Sequence, residues 1–228
     1  MFNPNPKIQL VAIPGFKPCV VIENILQDPD ALVAAAIKER SNFVMASRNA
    51  FPGPELTMPE QFSARLNDFF ILHIRKHLGI RRTLAMNSRL SIVTLQPHEL
   101  SPGQRICHQD QISEIPHLCF AATVMYLFKN PALGGTSFYA PKVSPVEINQ
   151  LFNSMPASPD GSNQSYMTAS SDHFELIRTI PAAWNRAIFY DSSIFHSGHM
   201  TNPALLNDDP ALGRLTLNGF FTCQKSAA

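Results

Sequence analysis

The stretch RICHQD, residues 105 to 110, places a histidine and an aspartate two residues apart. In an extended chain residues i and i+2 project to one face, so His108 and Asp110 can reach one metal ion while Gln109 points away. By itself the pair is no more than a polar strand end. A facial iron(II) centre needs two imidazoles and one carboxylate on one side of the metal, with the other positions left for a cosubstrate and oxygen. Zinc takes the same three donors with a water completing the shell. Both chemistries need another histidine, and the segment NRAIFYDSSIFHSGHM offers two, His196 and His199, directly after an apolar strand. Either one can be the third ligand, and each also reads as an ordinary hydrogen-bonded histidine. The remaining candidates are weaker: His98 and His117 lie in Pro-containing loops, and His173 opens a strand.

A second polar pattern lies in GRLTLNGFF, where Arg214, Thr216 and Asn218 alternate with Leu215, Leu217 and Gly219. That is a strand with one polar face. Turned into a barrel interior, such a face is costly unless it meets a partner. An arginine followed two residues later by a hydroxyl suits a carboxylate, which a guanidinium grips with two parallel hydrogen bonds. The plain alternative is a strand whose polar face is open to solvent.

These residues need a scaffold. A chain of 228 residues, 45% apolar and 15% charged, is long enough for one domain with a substantial core, and we expect a single domain over 1–228. The net charge of +1 leaves no electrostatic footprint for nucleic acid or an acidic membrane. The cluster RRTLAMNSR, with Arg81, Arg82 and Arg89, reads as a solvated surface face. No window reaches the length of a membrane span, and the N-terminus does not read as a signal peptide. Cys19, Cys107, Cys119 and Cys223 are scattered without a CxxC pair, the usage of a reduced, cytoplasmic protein.

From KPCVVIENIL the chain reads as a short strand, then a helix over about 29 to 40 with Asp28 as its cap and Pro29 in its first turn. A second helix is expected over about 59 to 78, with Phe62, Leu66, Phe69, Phe70 and His73 recurring at three- and four-residue intervals and Gly79 closing it. Residues 1–80 thus form a helical N-terminal support. Over 81–228 the pattern changes to short apolar runs between turn formers: RLSIVTLQP, RICHQD, CFAATVMYLF, GGTSFYAP, HFELIRTIPA, NRAIFYDS and GRLTLNGFFTC. Many short strands with frequent turns predict a sandwich or partly open barrel. The insertion 142–172 interrupts it, with a short helix in SPVEINQLFN, a mobile turn-rich run in ASPDGSNQS, and the placement of a lid or oligomer contact.

With these motifs in hand, the chain resembles the iron(II)/2-oxoglutarate-dependent dioxygenase superfamily, of the prolyl-hydroxylase-like kind, within a bacterial group described only as uncharacterised. The resemblance runs over nearly the whole chain and is strongest from about 90 to 222. It implies a mainly β fold with a double-stranded β-helix (jelly roll) core. His108 and Asp110 match the family's His-x-Asp motif, His196 its distal histidine, and Arg214 with Thr216 its 2-oxoglutarate-binding arginine and hydroxyl. Gly134 and Gly135, in YLFKNPALGGTSFY, carry over as turn residues. The implied cofactors are iron(II) and 2-oxoglutarate, and the implied reaction is hydroxylation of a small-molecule or peptide substrate with release of succinate and carbon dioxide. The gap from His196 to Arg214, filled by MTNPALLNDDPAL, is longer than usual in the superfamily. This loop and the 142–172 insertion are the expected walls of a substrate pocket, and His199, Arg105 and Gln104 are secondary contacts. Alternatives from other classes are a metal-dependent hydrolase using the same triad and a non-catalytic β-sandwich binding module.

Overall fold

The structure, a computed structural model, describes residues 1–45, 51–154 and 165–226. In chain order its main elements are β1 (Lys7–Val11), β2 (Cys19–Glu23), α1 (Pro29–Lys38), β3 (Glu55–Thr57), α2 (Glu60–His73), β4 (Ile80–Val93), β5 (Leu118–Tyr126), β6 (Thr136–Pro141), α3 (Pro145–Ser154), β7 (Phe174–Ile180), β8 (Ala187–Asp191), β9 (Phe195–Gly198) and β10 (Arg214–Lys225). The strands form a seven-stranded sheet, ordered β1-β2-β8-β5-β10-β4-β3, and a three-stranded sheet, ordered β7-β6-β9. All their pairings are antiparallel. Side chains from both sheets meet in one cluster that includes Val21, Tyr126, Phe138, Ile180, Ile188 and Tyr190. This is the double-stranded β-helix core.

Helices cover the outer face of the large sheet. Asp28 caps α1 by accepting a hydrogen bond from the Ala31 N–H at 3.0 Å, with Pro29 in the first turn, as the local sequence requires. The α2 helix buries Leu66, Phe69 and Phe70, and Phe70 stacks on Phe221 of β10 with ring centres 4.0 Å apart. It ends at His73, and the last turn expected of it is a 3-10 turn, Arg75–Leu78, closed by Gly79 at φ +64°. Gly219 lets the helix seat: a Cβ there would lie 2.8 Å from Thr123 Cγ2 and 3.2 Å from Leu66 Cδ2. Along β10 the outward residues Leu215, Leu217 and Phe221 therefore join the helix-side core. By strand alternation Arg214, Thr216, Asn218 and Phe220 point the other way, into the interior.

Three features differ from the sequence reading. First, β1 and β3 were not expected; in β1 Ile8 and Leu10 alternate with Lys7 and Gln9, but its residues are mostly exposed at the sheet edge, and β3 is only three residues long. Second, the basic cluster RRTLAMNSR belongs to β4, whose first half is largely exposed while its second half is buried. Third, RICHQD is not a regular strand. It joins β9 through a single antiparallel bridge, His108 to His196, closed by two backbone hydrogen bonds of 2.9 Å. In the insertion, α3 forms as expected, with Ile148 and Leu151 packed among Cys107, Tyr139, Phe174 and Phe195. The turn-rich run 157–165 lies, but for Ser165, outside the described residues. Among the described residues no helix is long and apolar enough to cross a membrane.

Candidate metal centre and its cavity

The bridge between RICHQD and β9 brings His108, Asp110 and His196 together, with one ligand atom of each within 4.8 Å of the others. His108 Nε2 is 3.6 Å from Asp110 Oδ1, and His196 Nε2 is 3.5 Å from Asp110 Oδ2. The backbone N–H of Asp110 is held by the Ser192 carbonyl at 3.3 Å. His196 Nδ1 lies 2.9 Å from the Ile194 carbonyl; a carbonyl only accepts, so Nδ1 donates, and in the neutral imidazole the lone pair is on Nε2, on the side of Asp110. The His108 and His196 rings lie 4.6 Å apart, and Tyr190 packs edge-on against His196 at 4.9 Å. Asp110 Oδ2 is buried with no hydrogen-bond partner, which is costly unless a cation serves it.

The electrostatics agree with that requirement. Burial opposes the Asp110 charge, yet the His196 and His108 imidazoles outweigh it and hold the carboxyl well below its usual range. Burial pushes His108 down. At His196 burial acts the same way, but Asp110 outweighs it and lifts the imidazole.

Both the triad and β10 line one cavity of about 480 Å³. Arg214 is only 4% exposed. Its Nε donates to the Leu133 and Gly134 carbonyls at 3.1 and 3.3 Å, and Nη2 donates to the Gly135 carbonyl at 2.8 Å. Gly134 and Gly135 allow this cradle: a Cβ on either would lie 1.9 Å from a backbone oxygen, that of His199 or of Ile180. Nη1 bonds no described residue, and Arg214 forms no ion pair among the described residues. Tyr126 and Tyr166 are close enough to feel its charge. Burial pushes the Tyr126 phenol up to about 12 and Tyr166 upward as well, so both stay neutral.

Beside Arg214 the polar face continues as a bonded chain. Thr216 donates to the Ser91 carbonyl at 3.4 Å, Asn218 Nδ2 donates to Ser91 Oγ at 2.9 Å and to Thr216 Oγ1 at 3.3 Å, and Ser91 Oγ donates to Glu55 Oε1 at 3.1 Å. This face is buried, which decides against the solvent-exposed alternative.

The secondary contacts fall elsewhere. His199 Nδ1 pairs with Ser137 Oγ at 2.8 Å and stands outside the metal-ligand cluster. Gln104 accepts from the Ser101 N–H and donates to the Phe51 carbonyl, and Arg105 donates to the Leu100 carbonyl. None of the three lines the cavity. Of the expected walls, Met200 lines it, but no described residue of 142–172 does; Phe51, Pro52, Asn87, Arg89, Gln111 and Phe220 close it instead. The period-two spacing of Asn87, Arg89 and Ser91 was the available signal for that wall, masked by its basic company.

A profile of a family of unknown function, DUF6445, matches residues 4–221. No curated protein matches the chain. Among solved structures, HygX from Streptomyces hygroscopicus, with nickel and 2-oxoglutarate bound, is similar at a TM-score of 0.53 and 10% identity, covering 91% of this chain and 82% of that one; the likeness shows a shared fold. A prolyl-4-hydroxylase from Pseudomonas putida aligns at 0.48 and 15% identity over 93% of this chain and 95% of that one. EvdO2 from Micromonospora carbonacea var. aurantiaca aligns at 0.47 and 10% over 92% and 88%.

Proposed function

The chain belongs to DUF6445, a family of unknown function, and from its cavity we propose an iron(II)- and 2-oxoglutarate-dependent oxygenase that hydroxylates a C–H bond of a small molecule or peptide. One observation carries this reading: two imidazoles and a carboxylate converge in the same cavity as a buried arginine that has no anionic partner among the described residues. The HygX structure contains nickel and 2-oxoglutarate; here the assignment stands on this chain's own residues.

In this reading His108, Asp110 and His196 hold iron(II). The donor set fits, because Asp110 stays ionised, one of its oxygens is buried without a hydrogen bond, and the Ile194 carbonyl fixes His196 with Nε2 free. Arg214 binds the distal carboxylate of 2-oxoglutarate through Nη1, while the carbonyls of residues 133 to 135 keep the guanidinium from turning away. Thr216 lines the cavity two residues along the same face, and it would meet that carboxylate by exchanging its long 3.4 Å hydrogen bond to the Ser91 carbonyl. Bound iron(II) and 2-oxoglutarate supply the oxidation: substrate, oxygen and 2-oxoglutarate give hydroxylated substrate, succinate and carbon dioxide. The protein's part is placement and exclusion of water. Four free, buried cysteines suit a reducing compartment, and we place the protein in the cytoplasm.

Anaerobic titration with iron(II) and 2-oxoglutarate tests the reading. A charge-transfer absorption is expected, followed by succinate once oxygen is admitted, and Asp110→Ala abolishes both. If neither signal appears in the wild-type protein, the oxygenase reading falls. Metal binding that persists with no response to 2-oxoglutarate favours a hydrolase.

A further inference from the structure

The end of the cavity away from Arg214 has its own recognition chemistry. Arg214 and Asn218 are four residues apart on β10, about 13 Å along the strand, and Asn218 lies directly opposite Arg89 of β4. Arg89 lines the cavity. Its guanidinium lies 4.5 Å over the Phe220 ring, and its Nε is 2.7 Å from Glu55 Oε1. The ring contact and this ion pair, which lacks the geometry of a hydrogen bond, restrain the guanidinium. Neither Nη atom bonds any described residue, so two parallel donors remain.

Asn218 supplies the complement. The Glu55 carboxylate only accepts, so the single Ser91 hydroxyl proton is spent on it. Ser91 Oγ then accepts from Asn218, which must present Nδ2 to it, and Thr216 takes the second proton of that amide. The Asn218 amide is thereby oriented, and Oδ1 is left as an acceptor bonded to no described residue. A donor fork and a fixed acceptor thus stand side by side on neighbouring strands. Asp110 is the one carboxylate among the described residues lining the cavity, and the Glu55 carboxylate beside Arg89 does not line it and is paired with that guanidinium.

We propose that the substrate is an α-amino acid, free or at a peptide C-terminus, whose carboxylate binds the Arg89 fork and whose N–H donates to Asn218 Oδ1. A carboxylate suits this place better than a phosphate dianion, because one guanidinium, already shared with Glu55, matches at most a single negative charge. The volume of about 480 Å³ lies in the range of small-molecule sites and admits a second small acid beside 2-oxoglutarate. Arg89 and Asn218 orient the substrate so that its side chain runs toward the triad.

The inference rests on the oxygenase reading for its reaction, and its test separates the two. Aliphatic and aromatic L-amino acids, their primary amides and their desamino acids are titrated calorimetrically into anaerobic protein loaded with iron(II) and 2-oxoglutarate, and also into metal-free protein. At least one amino acid is expected to bind at least tenfold more tightly than its amide. Arg89→Gln removes that preference, Arg89→Lys restores part of it by charge without the fork, and both leave the 2-oxoglutarate titration unchanged, which also reports a folded cavity. The advantage of an amino acid over its desamino form vanishes in Asn218→Ala. Acids that bind no better than amides, whether both bind or neither does, overturn the inference, as does undiminished preference in Arg89→Gln. Loss of the 2-oxoglutarate signal in wild-type protein with the amino-acid preference intact overturns the oxygenase reading alone.

Discussion

Two arginines stand on the same inner face of the large sheet, and their surroundings differ. Arg214 is 4% exposed and held only by backbone carbonyls, with neutral tyrosines nearby. The Arg89 side chain is 32% exposed, stacked on Phe220 and paired with Glu55. A buried guanidinium with no anionic partner among the described residues is an expense that a fold sustains poorly, which supports a ligand's charge at the Arg214 end. The Arg89 end is already neutralised and can select a ligand without depending on one. On the proposed reading the first arginine serves an obligatory anion and the second serves discrimination.

The widest separation between the two is expected from Arg214→Met set beside Arg89→Met. Removing the buried donor should weaken 2-oxoglutarate about 100-fold, about 2.7 kcal/mol, read from the charge-transfer titration, whereas Arg89→Met should change it by less than about twofold. Arg214→Lys should not rescue, because one ammonium cannot span the three carbonyls and still place a separate donor where Nη1 stands. Equal losses at both positions would erase the distinction.

A smaller effect follows from the triad's charge. Asp110 lifts His196 above the ordinary histidine value of 6.5 while burial lowers His108. Without metal, His196 therefore keeps its proton to a higher pH than a free histidine, and a metal must displace it. Metal affinity should fall about tenfold for each pH unit below that raised value, measured by competition titration with zinc(II) between about pH 6 and 8. Amino-acid binding at Arg89 in metal-free protein should show no matching proton release. Smaller again is Glu55→Gln. A glutamine amide can accept the Ser91 proton or donate to Ser91 Oγ, so the Asn218 amide loses its fixed sense, and discrimination between amino acid and amide should drop about fivefold while 2-oxoglutarate binding holds.

What the sequence made legible follows the same division. The Arg214 strand announces itself because polar and apolar residues alternate cleanly from Arg214 to Gly219, and its core-facing Leu215 and Leu217 leave no doubt about which side is apolar. The helices were readable from Asp28, Pro29 and the Phe stripe. The Arg89 wall was not, because β4 starts with exposed residues and its inward set begins only at Asn87, inside a run that has the composition of a surface. The pairing of Asn218 with Arg89 and the seating of Ser91 on Glu55 depend on strand order, which local pattern does not encode. RICHQD lacks strand partners apart from one bridge, so the proximity of His108 and His196 is a tertiary fact that spacing alone only permitted.

The smallest effect expected is at His199, and it bears on which histidine completes the triad. From spacing alone His196 and His199 are equivalent, since both follow the β8 strand. They differ in what holds them. His196 lies on β9, opposite Phe138, with its backbone bridged to His108 and its Nδ1 bonded to Ile194. His199 falls one residue past the end of β9, its ring bonded to Ser137. Burial lowers its pKa, which leaves it neutral near pH 7 and without a carboxylate to orient it toward a cation. His199→Gln keeps a donor and acceptor for Ser137, so iron(II) affinity should stay within about twofold of wild type, while His196→Gln should abolish binding as loss of one of three ligands does. A reversal of those two results would take the metal off His196 and away from its contact with Asp110, and the separation between the two ends of the cavity would have to be redrawn around it.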